Sequence, residues 1–334
     1  MDKKILFRVD AGGKVGLGHF YRSYNLALAL KDKAYLVTFV HEKSNFWDAI
    51  SDFEFKHIEL DSSNANNNMF DICLKENYTI LYIDGIIEFD SASIKKLKDK
   101  TKVVFYQNIS KSRHLADVFI LPSIHQEKPF FKKFSTKSTK IFQGLEYFTF
   151  NSKISKLTTK QISSNNSLKN IGIICGGSDP KNVMLSIFEL IDYKEWDTLT
   201  FNFYYGDNYM HQESIPKRYA NNVSFLPYNV NSINKNDVLI AAFGVSTYEF
   251  MALGMPIISI GHQEANANAS KILAEKTNSI YHLGLIDLLT KEVLNQTIRK
   301  FASNLTISQK LSEKSKQILD LKGIERIVKI IETI

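Results

Sequence analysis

Asp10, Gly16, Gly18, His19 and Arg22 lie within thirteen positions near the start of the chain, between an apolar run and a helical pattern. An imidazole can move a proton near neutral pH. Glycines just before a helix let a ligand approach backbone N–H groups that attract anions. A base and an anion-binding turn would therefore meet at His19, the combination needed to act on a small phosphate-bearing molecule.

Residues 5–9 read as a buried parallel strand, and Leu26, Ala27 and Leu30 carry the helical spacing that follows. Further strand patterns at 34–40, 79–83, 102–106 and 118–121 alternate with segments long enough for helices, which implies a parallel, doubly wound sheet. Residues 151–170 are rich in Ser, Thr, Lys and Asn and mark a boundary between a domain over 1–150 and another over 151–334. The second half repeats the pattern at 171–175, 199–205, 223–226, 238–242 and 256–260. Helical apolar spacing at 318–334 predicts a last helix that packs back across the domains. The expected fold class is α/β, two Rossmann-like domains facing a central cleft, with ligands at the carboxyl ends of the strands.

That edge collects the other polar candidates. Asp84 follows the strand at 79–83, and Gly177, Ser178 and Asp179 follow the first strand of the second half. Gly244, Val245, Ser246 and Thr247 lead into a helix with Glu249 one turn in, and Gln263 follows the strand at 256–260. The 244–247 amides can hold a diphosphate, and Glu249 can accept from ribose hydroxyls or serve only the helix dipole. Asp10 can orient His19 or cap nearby amides, and His19 itself can be a base or a helix cap. Asp84 is a site carboxylate or a turn residue.

Composition narrows the class. The 334 residues are 44% hydrophobic with net charge +7, enough for two cores and suited to phosphate-bearing ligands or an anionic membrane surface. No nucleic-acid motif accompanies that charge. Cys73 and Cys175 are isolated in apolar surroundings, as reduced core residues of a cytoplasmic protein would be. His41, His57, His114, His125, His211, His262 and His282 show no metal-ligand spacing, and neither a metal nor a cofactor is expected. The start of the chain lacks the pattern of a signal peptide, and no segment is apolar enough to span a bilayer. Between 128 and 140, Phe130, Phe131 and Phe134 interleave with Lys132, Lys133 and Lys137. Such a segment binds an anionic membrane or lipid-linked acceptor, or it is a solvated loop with inward aromatics.

The strand-turn pattern Val9-Asp10, Gly16-Leu17-Gly18-His19 with Arg22, the Cys175-Gly176-Gly177-Ser178-Asp179 turn, and Ser246-Thr247-Tyr248-Glu249 followed by Gly254-Met255-Pro256 resemble the pseudaminic-acid-pathway UDP-sugar hydrolases. Their spacing is also similar to the spore-coat polysaccharide proteins and, more distantly, to MurG-type glycosyltransferases. The resemblance spans residues 1–280 and is weakest over 110–140. It implies a GT-B fold with UDP held by the C-terminal domain. It also implies that His19 activates water for attack at the anomeric carbon, with the Gly-Gly-Ser-Asp and Ser-x-x-Glu positions cradling pyrophosphate and ribose.

Two departures bear on activity. Those hydrolases carry a tyrosine shortly after the aspartate matching Asp84, where this chain reads Gly85-Ile86-Ile87. Paired acidic residues after the next strand are replaced by Gln107-Asn108. A nicotinamide dinucleotide site is the competing reading of the first turn, with Glu42 as its ribose acid, but Gly13-x-x-Gly16-x-Gly18 is not the Gly-x-Gly-x-x-Gly fingerprint. The leading expectation is hydrolysis of a UDP-linked sugar in surface-glycan synthesis. Glycosyl transfer to a glycan or lipid-linked acceptor, at the inner membrane face, is the alternative. A noncatalytic nucleotide-sugar sensor is a third.

Overall fold

The computed structural model describes residues 3–12, 17–134, 138–162 and 167–334. Gly16, Lys137 and part of the polar bridge lie outside the described residues. The chain divides into two compact units, Met1–Ser152 with Leu321–Ile334, and Lys153–Asp320.

In the first unit seven strands pair in parallel: β1 (Lys4–Val9), β2 (Leu36–Glu42), β3 (Lys56–Leu60), β4 (Ile80–Asp84), β5 (Lys102–Tyr106), β6 (Val118–Leu121) and β7 (Lys140–Gln143). Their spatial order is β3-β2-β1-β4-β5-β6-β7. The direction of winding therefore reverses between β1 and β4, where open α/β sheets bind ligands. Strand side chains alternate between faces. Ile5, Phe7 and Val9 join a core with Leu26 and Leu30 of the helix Gly18–Lys31, whereas Leu6 joins the core on the other side. Burying both faces makes β1 nearly continuous in apolar residues, and Arg8 is its exception.

The terminal helix Gly323–Glu332 buries Ile327, Val328, Ile330 and Ile331 in that same first-unit core. The helical spacing at 318–334 is interrupted, because the preceding helix ends at Ile318 and Leu319 is extended. The 151–334 boundary therefore shifts at its far end: the second unit stops at Asp320.

The second unit contains β8 (Asn170–Ile174), β9 (Thr200–Tyr205), β10 (Val223–Pro227), β11 (Val238–Ala242), β12 (Ile257–Gly261) and β13 (Tyr281–Leu285). Its order is β10-β9-β8-β11-β12-β13, again all parallel, with the reversal between β8 and β11. Part of the polar bridge is tied to this unit, since Lys160 N–H donates to the Leu253 carbonyl at 2.7 Å. Both cysteines are free and buried. In the 128–140 segment Phe134 is buried, and Phe130 and Phe131 pack on the first unit's core. The Arg113 guanidinium covers the Phe130 ring at 4.1 Å, so these aromatics face inward. Among the described residues no helix is long and apolar enough to cross a membrane.

Candidate functional site

His19 is the second residue of the helix Gly18–Lys31, beside the β1/β4 reversal. Its Nδ1 lies 2.8 Å from Asp84 Oδ1, at the end of β4. Among the described residues, apart from Gly18's chain neighbours and its own helix backbone, no atom lies within 4 Å of where a Cβ on Gly18 would stand. The Asp84 side chain is fully buried, while His19 retains 24% exposure.

Strand register explains this partner. Val9 pairs with Asp84, so both face the core that contains the helix carrying His19. Asp10 is one residue on and faces the other way. Its Oδ2 accepts from Arg8 Nη2 at 2.8 Å and its Oδ1 from the Glu42 backbone N–H at 2.9 Å. Arg8, two residues back on the same face, also donates to Glu42 Oε1 at 2.7 Å. Of its two sequence readings, Asp10 therefore takes the one as a partner of nearby backbone and charge, and the contact with His19 belongs to Asp84. His19 likewise spends its Nδ1 on a strand carboxylate and caps no helix amide.

Arg22, expected to touch the ligand, grips Asp84. Its Nε donates to Oδ2 at 2.6 Å, its Nη2 donates to Oδ1, and Ser23 Oγ donates to Oδ2 at 2.9 Å. Burial alone would raise the carboxyl's pKa, but the guanidinium and these hydrogen bonds hold it below its ordinary value. The Arg22 guanidinium also lies 5.2 Å from the centre of the Tyr106 ring. Of the Gln107-Asn108 pair that replaces two acids, Asn108 is buried and donates to the Ile87 carbonyl at 2.8 Å, which holds the loop after β4.

In the second unit Gly176, Gly177 and Ser178 are exposed after β8, and Gly244 leads from β11 into the helix Val245–Ala252. Because β8 and β11 are neighbours, these turns share one edge. The Gly244 N–H donates to Thr247 Oγ1 at 3.2 Å, Thr247 is buried, and Val245 is 60% exposed, so the helix presents an open first turn. Gly206, after β9, sits against the Gly177 backbone: a Cβ there would stand 2.5 Å from Gly177 Cα and nearer still to its carbonyl oxygen.

Asp179, expected in the ligand turn, is tied to the helix that follows it. Its oxygens accept from the Val183 and Met184 amides at 2.9 and 2.8 Å, capping the helix Val183–Leu190, and burial raises its pKa. A carboxylate already holding those amides would also repel a diphosphate. Glu249 is pushed up to about 7 by burial, and burial and its charge together hold the nearby Tyr228 phenol above its ordinary value. Sequence reasoning missed Tyr228, which stands just past β10. Gln263 is exposed at the start of the helix Glu264–Thr277, with Nε2 3.4 Å from His262 Nε2. Among the described residues no group of His, Cys, Asp or Glu is placed to hold a metal ion.

Two such doubly wound sheets in one chain are matched by solved structures over nearly their full length. The chain superposes on MurG of Acinetobacter baumannii with a TM-score of 0.72 at 14% identity, covering 99% of this chain and 100% of that one. The fold is GT-B. The S. aureus MnaA–UDP co-structure gives a TM-score of 0.64 at 14% identity, over 99% of this chain and 96% of that one. In sequence the GT-B chain is 22% identical over 341 residues to the spore coat polysaccharide biosynthesis protein SpsG of Bacillus subtilis, across 97% of this chain and 96% of SpsG. No family model matches it.

Proposed function

We propose that the protein hydrolyses a nucleotide sugar, most simply a UDP-sugar, at the anomeric carbon. The observation that carries this reading is the 2.8 Å pairing of His19 Nδ1 with the buried Asp84 carboxylate, the His19 side chain keeping 24% exposure. With the ring proton on Nδ1, Nε2 takes a proton from water as the water oxygen bonds to the anomeric carbon. The bond from that carbon to the diphosphate oxygen breaks, and the electron pair leaves with the nucleoside diphosphate. In the second unit, backbone N–H groups at 176–178 and at the start of the helix Val245–Ala252 suit a diphosphate and need no divalent cation to bind it. Glu249, Ser246 and Tyr228 supply hydrogen-bonding groups for the ribose, and Gln263 stands at the next strand end. Likeness to SpsG supports a place in polysaccharide synthesis.

Transfer to a hydroxyl acceptor is the second reading. It is favoured by Ile86 and Ile109, 66% and 43% exposed in the loops after β4 and β5, where an apolar acceptor surface would form in place of the absent tyrosine. A panel of nucleotide sugars, with products read by mass spectrometry, separates the two. Hydrolysis yields equal amounts of nucleoside diphosphate and free sugar with no acceptor present, and EDTA leaves the rate unchanged. Turnover that begins only when an acceptor is added, with sugar appearing on it, overturns hydrolysis in favour of transfer.

A further inference from the structure

His19 Nδ1 has two neighbours: Asp84 Oδ1 at 2.8 Å and Arg22 Nη2 at 2.7 Å. One ring nitrogen can donate to the carboxylate or accept from the guanidinium, but not both. If it accepts from Arg22, the ring proton sits on Nε2 and no base faces the substrate. The state of Asp84 decides between these arrangements. An ionised Asp84 has only acceptors to offer and attracts a donor more strongly than a neutral ring nitrogen does; with Arg22 Nη2 already donating to Oδ1, Nδ1 carries the proton and donates to the carboxylate.

Asp84 stays ionised against complete burial because Arg22 grips both its oxygens and Ser23 adds a third donor. Among the described residues, the other titratable groups facing this pair are Tyr82 and Tyr106. Burial pushes Tyr106 up to about 12 and Tyr82 well above its ordinary value, so both remain neutral and neither replaces the cation. Without the guanidinium, desolvation would drive Asp84 to take up one proton from solvent. A neutral Asp84 donates its own O–H to Nδ1, and the ring must then hold its proton on Nε2.

We propose that Arg22 is a positioning residue: by clamping Asp84, it fixes the His19 tautomer and keeps Nε2 bare for the reaction. The inference rests on the reading of His19 as the base, and its test does not depend on turnover. Nitrogen-15 NMR of histidine-labelled protein, with the His19 signals identified by their loss in His19→Gln, reports which ring nitrogen carries the proton in the absence of ligand.

The native protein should show Nδ1 protonated, and Arg22→Gln should move the proton to Nε2. In kinetics Arg22→Gln should lower kcat by about 10²-fold or more while KM for the nucleotide sugar stays within about threefold. Arg22→Lys keeps a charge beside Asp84, so it protects against simple unfolding and should recover the native tautomer together with at least a tenth of native kcat. An unchanged tautomer in a folded Arg22→Gln protein, or a rise in KM with kcat preserved, overturns the proposal and makes Arg22 a ligand-binding group. A tautomer shift accompanied by native turnover in His19→Ala would uphold the clamp and refute the role of His19 as base.

Discussion

A tight backbone approach in the second unit gives a sharp test of the proposed diphosphate turn. Gly206 is buried, and a Cβ on it would stand 2.5 Å from Gly177 Cα. That is about 1 Å short of an ordinary carbon–carbon contact of about 3.5 Å. The obstacle is backbone on both sides, so no side chain can swing away. The neighbourhood is also laced together, with Met210 N–H on the Ser178 carbonyl at 3.1 Å and Tyr209 Oη on Asn182 Oδ1 at 2.7 Å. Gly206→Ala must therefore displace the 176–178 turn by about 1 Å. Overpacking of this kind costs about 1–3 kcal/mol, which for a unit of this size lowers Tm by roughly 2–12 °C.

If that turn holds a diphosphate, UDP affinity measured by calorimetry should fall by about tenfold or more, the equivalent of about 1.4 kcal/mol. Gly244→Ala is the control. Its φ of −175° suits any residue, and nothing lies within 4 Å of the added methyl. It should leave Tm of the free protein within a few degrees while the methyl enters the space assigned to ligand and weakens UDP. A Gly206→Ala protein with lowered Tm and native UDP affinity would refute the diphosphate assignment, and an unchanged Tm would refute the packing argument itself.

Four further outcomes follow from the electrostatics. Asp84→Ala strands Arg22 as an unpaired, mostly buried cation and should cost about 3–5 kcal/mol in urea denaturation of the unit that carries it, whereas a loss below about 1 kcal/mol would mean the pair is not desolvated. Glu249→Ala should weaken UDP by about 1.5–3 kcal/mol. Because burial raises Glu249 from 4.5 to about 7, the unfolded chain gives up that proton first, and free-protein stability declines as pH rises between those values; Glu249→Gln should flatten that decline. His41, stacked on Trp47 at 4.0 Å with Nε2 3.0 Å from His57 Nδ1, has its pKa lowered chiefly by burial. Its unfolded form binds protons first, so stability is full above about 6.5 and falls as pH drops below it, a slope that His41→Phe should reduce.

Much of the sheet was legible because strands buried on two faces must be continuously apolar. The patterns at 102–106, 118–121 and 238–242 coincide with β5, β6 and β11. The strands that escaped notice are edges of their sheets. β3 reads KHIEL with three exposed residues, β7 has four residues, and β13 is half-buried along its length with an irregular register to β12. An edge strand needs only one apolar face, and four or five residues give too little alternation to detect.

Within the site, residue types were easier to read than partners. His19 and Asp84 could be named from the turn and the strand end, but which aspartate meets the histidine depends on pleat and register. The clue was present in residues 4–9: Arg8 breaks the apolar run on the same face as Asp10, and a buried guanidinium requires a carboxylate two residues away. Asp179 could equally have been read as a cap, since it stands four residues before Val183 at the start of an apolar helix. Arg22, three residues after His19 and one helical turn on, reaches the same carboxylate. Tyr228 carried no signal, because its approach to Ser246 depends on the path of the chain after β10.

The account stands on His19 as the proton acceptor, and one comparison tests it most directly: turnover of the nucleotide sugar that the native protein consumes, alongside UDP affinity, in His19→Ala. Removing a general base costs about 10²–10⁴ in rate. The predicted result is a loss of that size in kcat with UDP affinity unchanged, since the groups assigned to the nucleotide belong to the second unit. A folded His19→Ala protein that turns over at near-native kcat would contradict the account.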